Sequence, residues 1–167
     1  MTPLLPGIAI RPATQDDASV VLAIGERADR LFAEHGFPQI AALPPTPIEA
    51  IRDLLAGNDA WIAEVNGVPA GFAIAGRAAG QYWLRELAVD PALGRRGIGT
   101  AILATVLDSV RSTDSGAVFL STFRDVPFNR PFYERRGFAV VEPESAAPEL
   151  RRQFLSEVPP DVDPDTR

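Results

Sequence analysis

The segment with the clearest chemical potential is Gly94-Arg95-Arg96-Gly97-Ile98-Gly99-Thr100. It lies between a run of strand composition and a run of helical spacing. A helix start presents N–H groups that lack intrahelical partners and carries about half a unit of positive charge. Glycines let a ligand approach the backbone, and Arg95 and Arg96 add charge, so the segment suits an anion such as a phosphate. The same glycines would also serve a tight turn flanked by solvated arginines. A dinucleotide fingerprint is excluded. Its third glycine would fall on Ile102, and no acidic ribose ligand follows a second strand.

The absent residues narrow the chemistry further. The chain has no Cys and a single His, and all 16 of its positive charges are Arg. Disulfides, thiol nucleophiles and cysteine zinc sites are excluded, as are sites built on several histidines. A Schiff-base amine and a P-loop lysine are also missing. No Gly-x-Ser-x-Gly elbow is present. What remains is positioning, proton transfer and backbone electrostatics, with no metal. The net charge of -6 argues against a nucleic-acid partner and is compatible with a cationic substrate. Arg without Lys, beside many Ala and Pro, points to a GC-rich, bacterial source. The start, Met1 to Gly7, lacks a basic, apolar leader, and no run approaches the ~18 apolar residues of a membrane span. The expected location is the cytoplasm.

The elements that must hold the segment follow from periodicity. Ile8 to Arg11 alternates as a strand. Thr14 and Asp17 resemble a capping box, ahead of Val20, Val21, Ile24, Ala28, Leu31 and Phe32 at helical spacing. That helix should fade near Gly36. A Pro-rich loop, 35–47, precedes a helix opened by Thr46-Pro47 as N-cap and N1. Residues 60–65 and 68–76 form a hairpin around Asn66-Gly67. Tyr82 to Val89 is a further strand. Ile98, Ile102, Leu103, Val106, Leu107 and Val110 mark one helix face. Residues 117–122 read as a buried strand. A helix over 129–136 stops at Gly137, and 138–141 reads as another strand. Residues 148–157 form a helix. The order implies one α+β domain over 1–157, with a mixed sheet and helices on both faces. An acidic, Pro-rich tail over 158–167 is expected to be mobile.

Residues 84–103, Leu84-Arg85-Glu86-Leu87-Ala88-Val89-Asp90-Pro91 through the glycine loop to Leu103, resemble the acyl-CoA-binding motif of the GNAT superfamily of N-acyltransferases. The later Phe128-Asn129-Arg130-Pro131-Phe132-Tyr133-Glu134-Arg135-Arg136-Gly137-Phe138 resembles that superfamily's second signature. The likeness spans 8–142 in element order. It implies a GNAT-like acyl-CoA N-acyltransferase fold with a mostly antiparallel central sheet. Two departures stand out. Gly94 occupies the position usually held by Gln or Arg, and no strand follows Val141 to close the sheet. The uncovered edge admits a homodimer.

The resemblance implies roles. Arg95, Arg96, Gly97, Ile98, Gly99 and Thr100 would bind the CoA pyrophosphate. Leu87, Ala88 and Val89 would pair with the pantetheine arm as an edge strand pairs with a peptide, and the Val89 N–H would polarise the thioester carbonyl. Tyr133 holds the general-acid position, where a phenol can protonate a leaving thiolate. Asn129, one helical turn earlier, would bond the cofactor arm or orient Tyr133; it also suits a helix N-cap. Glu86 is the candidate base or amine ligand, although strand alternation leaves its facing open. His35 is read as neither ligand nor base, and Trp61, Trp83, Phe37 and Phe123 as core.

The implied activity is acetyl transfer from acetyl-CoA to a primary amine of a small molecule or peptide, by direct attack in a ternary complex. A non-catalytic acyl-CoA sensor or scaffold is the alternative. A nucleotide-phosphate binder using the same helix terminus is a third possibility.

Overall fold

The computed structural model describes residues 6–113 and 116–167; the segment 1–5, read above for a leader, lies outside them. The strands are β1 (Ile8–Pro12), β2 (Asp59–Val65), β3 (Val68–Ala78), β4 (Gln81–Val89) and β5 (Val118–Phe119). The helices are α1 (Ala18–Asp29), α2 (Pro38–Ala41), α3 (Ile48–Gly57), α4 (Ile98–Arg111), α5 (Arg130–Glu134) and α6 (Pro148–Ser156). The five strands lie in the order β1-β2-β3-β4-β5. The first four are antiparallel neighbours, and β4 and β5 run parallel.

Period-two alternation divides the sheet residues between two cores. On one face Ala63, Ala73, Ala75, Tyr82 and Leu84 receive Ile98, Ile102, Leu103, Val106 and Val110 of α4. The alanines let α4 sit close to the sheet. On the other face Ile62, Phe72, Ile74 and Ala88 receive Val21 and Ile24 of α1 and Ile51 and Leu55 of α3. Each fully buried Ile or Leu contributes about 1.5–3 kcal/mol. Two tight turns set the register. Asn66 and Gly67 have φ of 51° and 79°, and Ala79 and Gly80 have 50° and 72°; positive φ at both central positions marks the hairpin turn that matches strand twist.

Several sequence expectations are corrected. Thr14 and Asp17 do form a capping box, but it opens a 3-10 turn, Gln15–Asp17, that leads into α1. Pro47 is the N-cap of α3 rather than its first helical residue; its ψ of 136° is not helical. The Pro-rich loop contains α2. The strand expected over 117–122 shrinks to Val118–Phe119, and 138–141 is not paired as a strand. Both runs have strand composition, but β4 pairs with the first only at Val118 and Phe119, and among the described residues 138–141 has no strand partner. Residues 157–167, whose composition suggests mobility, touch the domain: Val162 is buried with Ile40, Phe123 and Val126, and Arg124 N–H donates to the Thr166 carbonyl at 2.8 Å. Among the described residues no helix is long and apolar enough to cross a membrane.

Candidate active site

The site is built around the C-terminal half of β4. Strand β5 pairs with β4 only at Tyr82 and Trp83. From Leu84 to Val89 the β5-facing edge is therefore open, while the other edge stays paired to β3. The Asp90 N–H donates to the Ala70 carbonyl at 2.8 Å. Backbone groups alternate along a strand, so Ala88 also turns its N–H and C=O to β3, and Leu87 and Val89 turn theirs to the open slot. Ala88 thus contributes its buried methyl to the α1 side, not a backbone bond to anything in the slot.

The chain leaves β4 through Asp90, whose carboxylate accepts from the Ala92 N–H at 3.0 Å and from Arg27 of α1 at 2.9 Å. It then enters the glycine loop. Arg95 and Gly97 have φ of 64° and 76°, so the loop backbone turns back on itself ahead of α4. Ala101 N–H is bonded to the Gly97 carbonyl at 3.0 Å. The N–H groups of Ile98, Gly99 and Thr100 precede it in the first turn and have no intrahelical acceptor. Arg95 and Arg96 are exposed. The donor set is that of an anion site.

Gly99 has a further role that sequence reasoning missed. A side chain there would meet the Phe132 ring at 3.5 Å and Val89 at 3.6 Å. Arg136 stacks on Phe132 at 3.7 Å from its centroid and donates to the Thr100 hydroxyl. Residues of the second motif thus brace the first turn of α4. The Arg-Arg pair before Gly137 was the available signal.

Tyr133 is buried between Phe132 and Phe138, with ring centroids 5.1 and 5.5 Å away. Burial pushes its phenol above the ordinary value, and Arg136 offsets this slightly, so the hydroxyl keeps its proton. Asn129 precedes α5, but its side chain makes no capping bond. Its Nδ2 is buried without a hydrogen-bond partner, an orphan that a ligand amide could satisfy.

Glu86 owes its position to a β-bulge. Ile74 pairs with Glu86 but Ala75 pairs with Leu84, so Arg85 is an extra residue in β4. The bulge turns Glu86 to the α1 face, while Leu84 stays on the α4 face. Arg85 is held outside by Asn58 Oδ1 at 2.7 Å and the Arg77 carbonyl at 2.9 Å. Glu86 lines a cavity of about 370 Å³ with Val21, Gly25, Glu26, Asp29 and Arg30 of the α1 region. It is deeply surrounded by protein, yet its side chain keeps exposed surface. This crowding, with Asp29 nearby, pushes its carboxyl up to about 7.

A larger cavity of about 530 Å³ lies beyond β5, between Val118 to Thr122 and Gly137 to Val141, and Tyr133 lines it. The acceptor reading attaches to the smaller cavity, because that one contains Glu86 on the open half of β4. His35 stacks edge-on against Phe128 and lines neither cavity. Phe37 and Phe123 pack on each other at 4.3 Å, and Trp83 stacks on Phe119.

A parallel strand pair that opens beside a glycine loop at a helix start is the architecture of acyl-CoA N-acyltransferases. The acetyltransferase (GNAT) family model matches residues 28–138. The chain belongs to the GNAT family and is an N-acetyltransferase. It is 29% identical over 137 residues to YafP, an uncharacterized N-acetyltransferase of Escherichia coli K12, covering 81% of this chain and 83% of that one. The fold is similar to that of PaiA N-acetyltransferase from Thermoplasma acidophilum, solved with coenzyme A: TM-score 0.67, 15% identity, 85% of this chain and 94% of that one. It is also similar to an aminoglycoside acetyltransferase from an uncultured soil sample: TM-score 0.64, 14% identity, 81% and 91% covered.

Proposed function

We propose that the protein moves an acetyl group from acetyl-CoA to a primary amine of a small molecule or peptide, within a ternary complex. The observation that carries this reading is Glu86, turned by the bulge into a cavity beside the unpaired half of β4. The residues present fit acetyl-CoA. Arg95 to Thr100 would take its pyrophosphate, Leu87 and Val89 its amide-bearing arm, and the orphan Asn129 Nδ2 a carbonyl of that arm.

Glu86 accepts a proton from the bound ammonium, leaving a neutral amine. The amine nitrogen forms a bond to the acetyl carbon, and the carbon–sulfur bond breaks. The Val89 N–H, on the slot side, would bond the carbonyl oxygen as charge develops there. Tyr133 gives its proton to the sulfur, the nitrogen loses its second proton through solvent to the resulting phenolate as the amide forms, and the proton held by Glu86 leaves to solvent. The chain has no cysteine to carry the acetyl group as a thioester, in keeping with direct attack.

The test is thermal melting with saturating acetyl-CoA, followed by thiol release on adding amines. At 100 times its Kd a ligand adds ~2.7 kcal/mol, which raises the Tm of a chain this size by about 5–10 °C. A rise with acetyl-CoA but not ATP, and thiol release that needs an amine, is expected. Binding without transfer to any amine would favour the sensor alternative.

A further inference from the structure

We infer that Val162 is a positioning residue for the acceptor cavity: it seats Ile40, and through Ile40 it holds α2 in place as a wall beside Glu86. The inference rests on the acetyl-transfer reading above, which makes that cavity the acceptor's.

The connection between α1 and α3, residues 30–47, supplies one side of the cavity, with Arg30, Ile40, Leu43 and Thr46 among the residues that line it. Among the described residues of that connection Ile40 is the one buried side chain, 6% exposed. Local structure does not fix it. The helix α2 (Pro38–Ala41) is about one turn long, and so short a helix depends on packing for its stability. The packing that holds it comes from outside the two cores that flank the sheet. Ile40 belongs to a third cluster with Phe123, Val126 and Val162, joined by Phe32, Phe37 and Val158. Among the described residues of that cluster only Ile40 also lines the cavity.

Val162 reaches this cluster from the segment whose acidic, Pro-rich composition suggests mobility. Its N–H donates to the Pro159 carbonyl at 3.3 Å. Asp161, inside that turn, has φ of 59°, a left-handed conformation that Asp tolerates better than most residues. The turn leaves Val162 only 8% exposed. Its Asp161 carbonyl accepts from Gln39 Nε2 of α2 at 3.4 Å, so the turn holds α2 by a polar contact as well as an apolar one. Farther on, the Arg124 N–H and Nε donate to the Thr166 and Arg167 carbonyls, each at 2.8 Å. Arg167 donates to the Ser121 carbonyl at 3.1 Å and lies over the Phe123 ring at 5.0 Å. The segment is thus clasped to residues 121–126, which follow β5, and Val162 carries that support across to α2.

The experiment uses the full chain with Val162→Ala, Val162→Thr, Val162→Ile, Ile40→Ala and the double variant of Val162→Ala with Ile40→Ala. Val162→Thr keeps the shape and puts a hydroxyl in the apolar seat. Val110→Ala, at a buried position in the last turn of α4, controls for lost stability alone. Thiol release is read with acetyl-CoA saturating and n-butylamine as acceptor, and backbone hydrogen exchange is read alongside. Val162→Ala and Val162→Thr should raise KM for the amine by about fivefold or more, with kcat and acetyl-CoA binding within about twofold. Exchange should quicken at Ile40, Ala42 and Leu43, whose N–H groups are bonded to Phe37, Pro38 and Ile40 carbonyls, and not along α4. Val162→Ile should keep KM within about twofold of the natural value. The double variant should show a KM no higher than Ile40→Ala alone, because both changes act through one contact. Val110→Ala should lower the Tm and leave KM unchanged.

A KM in Val162→Ala and Val162→Thr that moves no more than in Val110→Ala overturns the inference, as do KM increases that multiply in the double variant. Unchanged exchange at Ile40, Ala42 and Leu43 overturns it too. These outcomes leave acetyl transfer standing. If acetyl-CoA raises the Tm but no amine releases thiol, the transfer reading fails and the acceptor role falls with it, while the exchange arm still decides whether Val162 supports α2.

Discussion

Leu84 and Glu86 stand two positions apart on β4 and face opposite sides of the sheet. Leu84 packs under α4, and Glu86 lines the cavity beside α1. Regular alternation would place both on one face. The extra residue, Arg85, separates them, and Asn58 and the Arg77 carbonyl hold it in place. One inserted residue thus moves Glu86 from the α4 face of the sheet to the cavity beside α1.

Glu86→Gln should lower kcat by about 10²-fold or more, the usual scale for a general base. Acetyl-CoA binding, measured by calorimetry, should stay within about twofold. A variant that keeps full turnover would remove Glu86 from the mechanism.

The same substitution should change stability in a pH-dependent way. The Glu86 carboxyl rises from an ordinary 4.5 to about 7 on folding. Between those values the folded protein binds more protons than the unfolded chain, so this group makes stability fall as pH rises through the window. Melting curves should show Glu86→Gln equal to the natural protein below pH 4.5 and more stable above about pH 7.

Tyr133→Phe keeps the ring packing with Phe132 and Phe138 and removes the proton donor. Turnover should fall by about 10²-fold with CoA affinity nearly unchanged. Equal loss in both would assign Tyr133 to packing alone.

Replacing Arg95 and Arg96 together by Ala should weaken CoA binding by about tenfold at low salt, with a smaller difference at high salt, because both side chains are exposed and their charge is screened. Titration of CoA at two ionic strengths checks this. A salt-independent loss would mean that the loop itself has changed shape.

The first strand offers a stability test away from the site. Arg11 donates to Asp17 at 2.8 and 3.0 Å and to Glu64 at 2.9 Å. Arg11 holds the Asp17 carboxyl below its ordinary 3.8. That stabilisation is present above pH 3.8 and is lost as pH falls through the lower folded value. Arg11→Ala should cost about 1–2 kcal/mol at neutral pH, and the deficit should shrink in acid. A deficit constant with pH would assign the loss to packing.

Much of this was legible in the sequence, and the reason differs by element. The glycine loop, the Asn66-Gly67 turn and α4 are local patterns, and each appears where its pattern lies. The mostly antiparallel character of the sheet followed from the resemblance. The bulge at Arg85 was not legible, because an extra residue shows only against its partner strand. Strand composition at 138–141 misled, since a strand needs a neighbour to bond. Glu26 and Asp29 were visible as acids near the end of α1, but only the fold shows that they share a cavity with Glu86.

The most direct test is the pH dependence of kcat/KM for the amine, with acetyl-CoA saturating, for the natural protein and for Glu86→Gln. The natural protein should show activity rising through an apparent pKa near 7, the value Glu86 carries in its cavity. In Glu86→Gln that limb should vanish along with most of the turnover. The same limb in both proteins would contradict the account, because the proton would then be leaving through some other group.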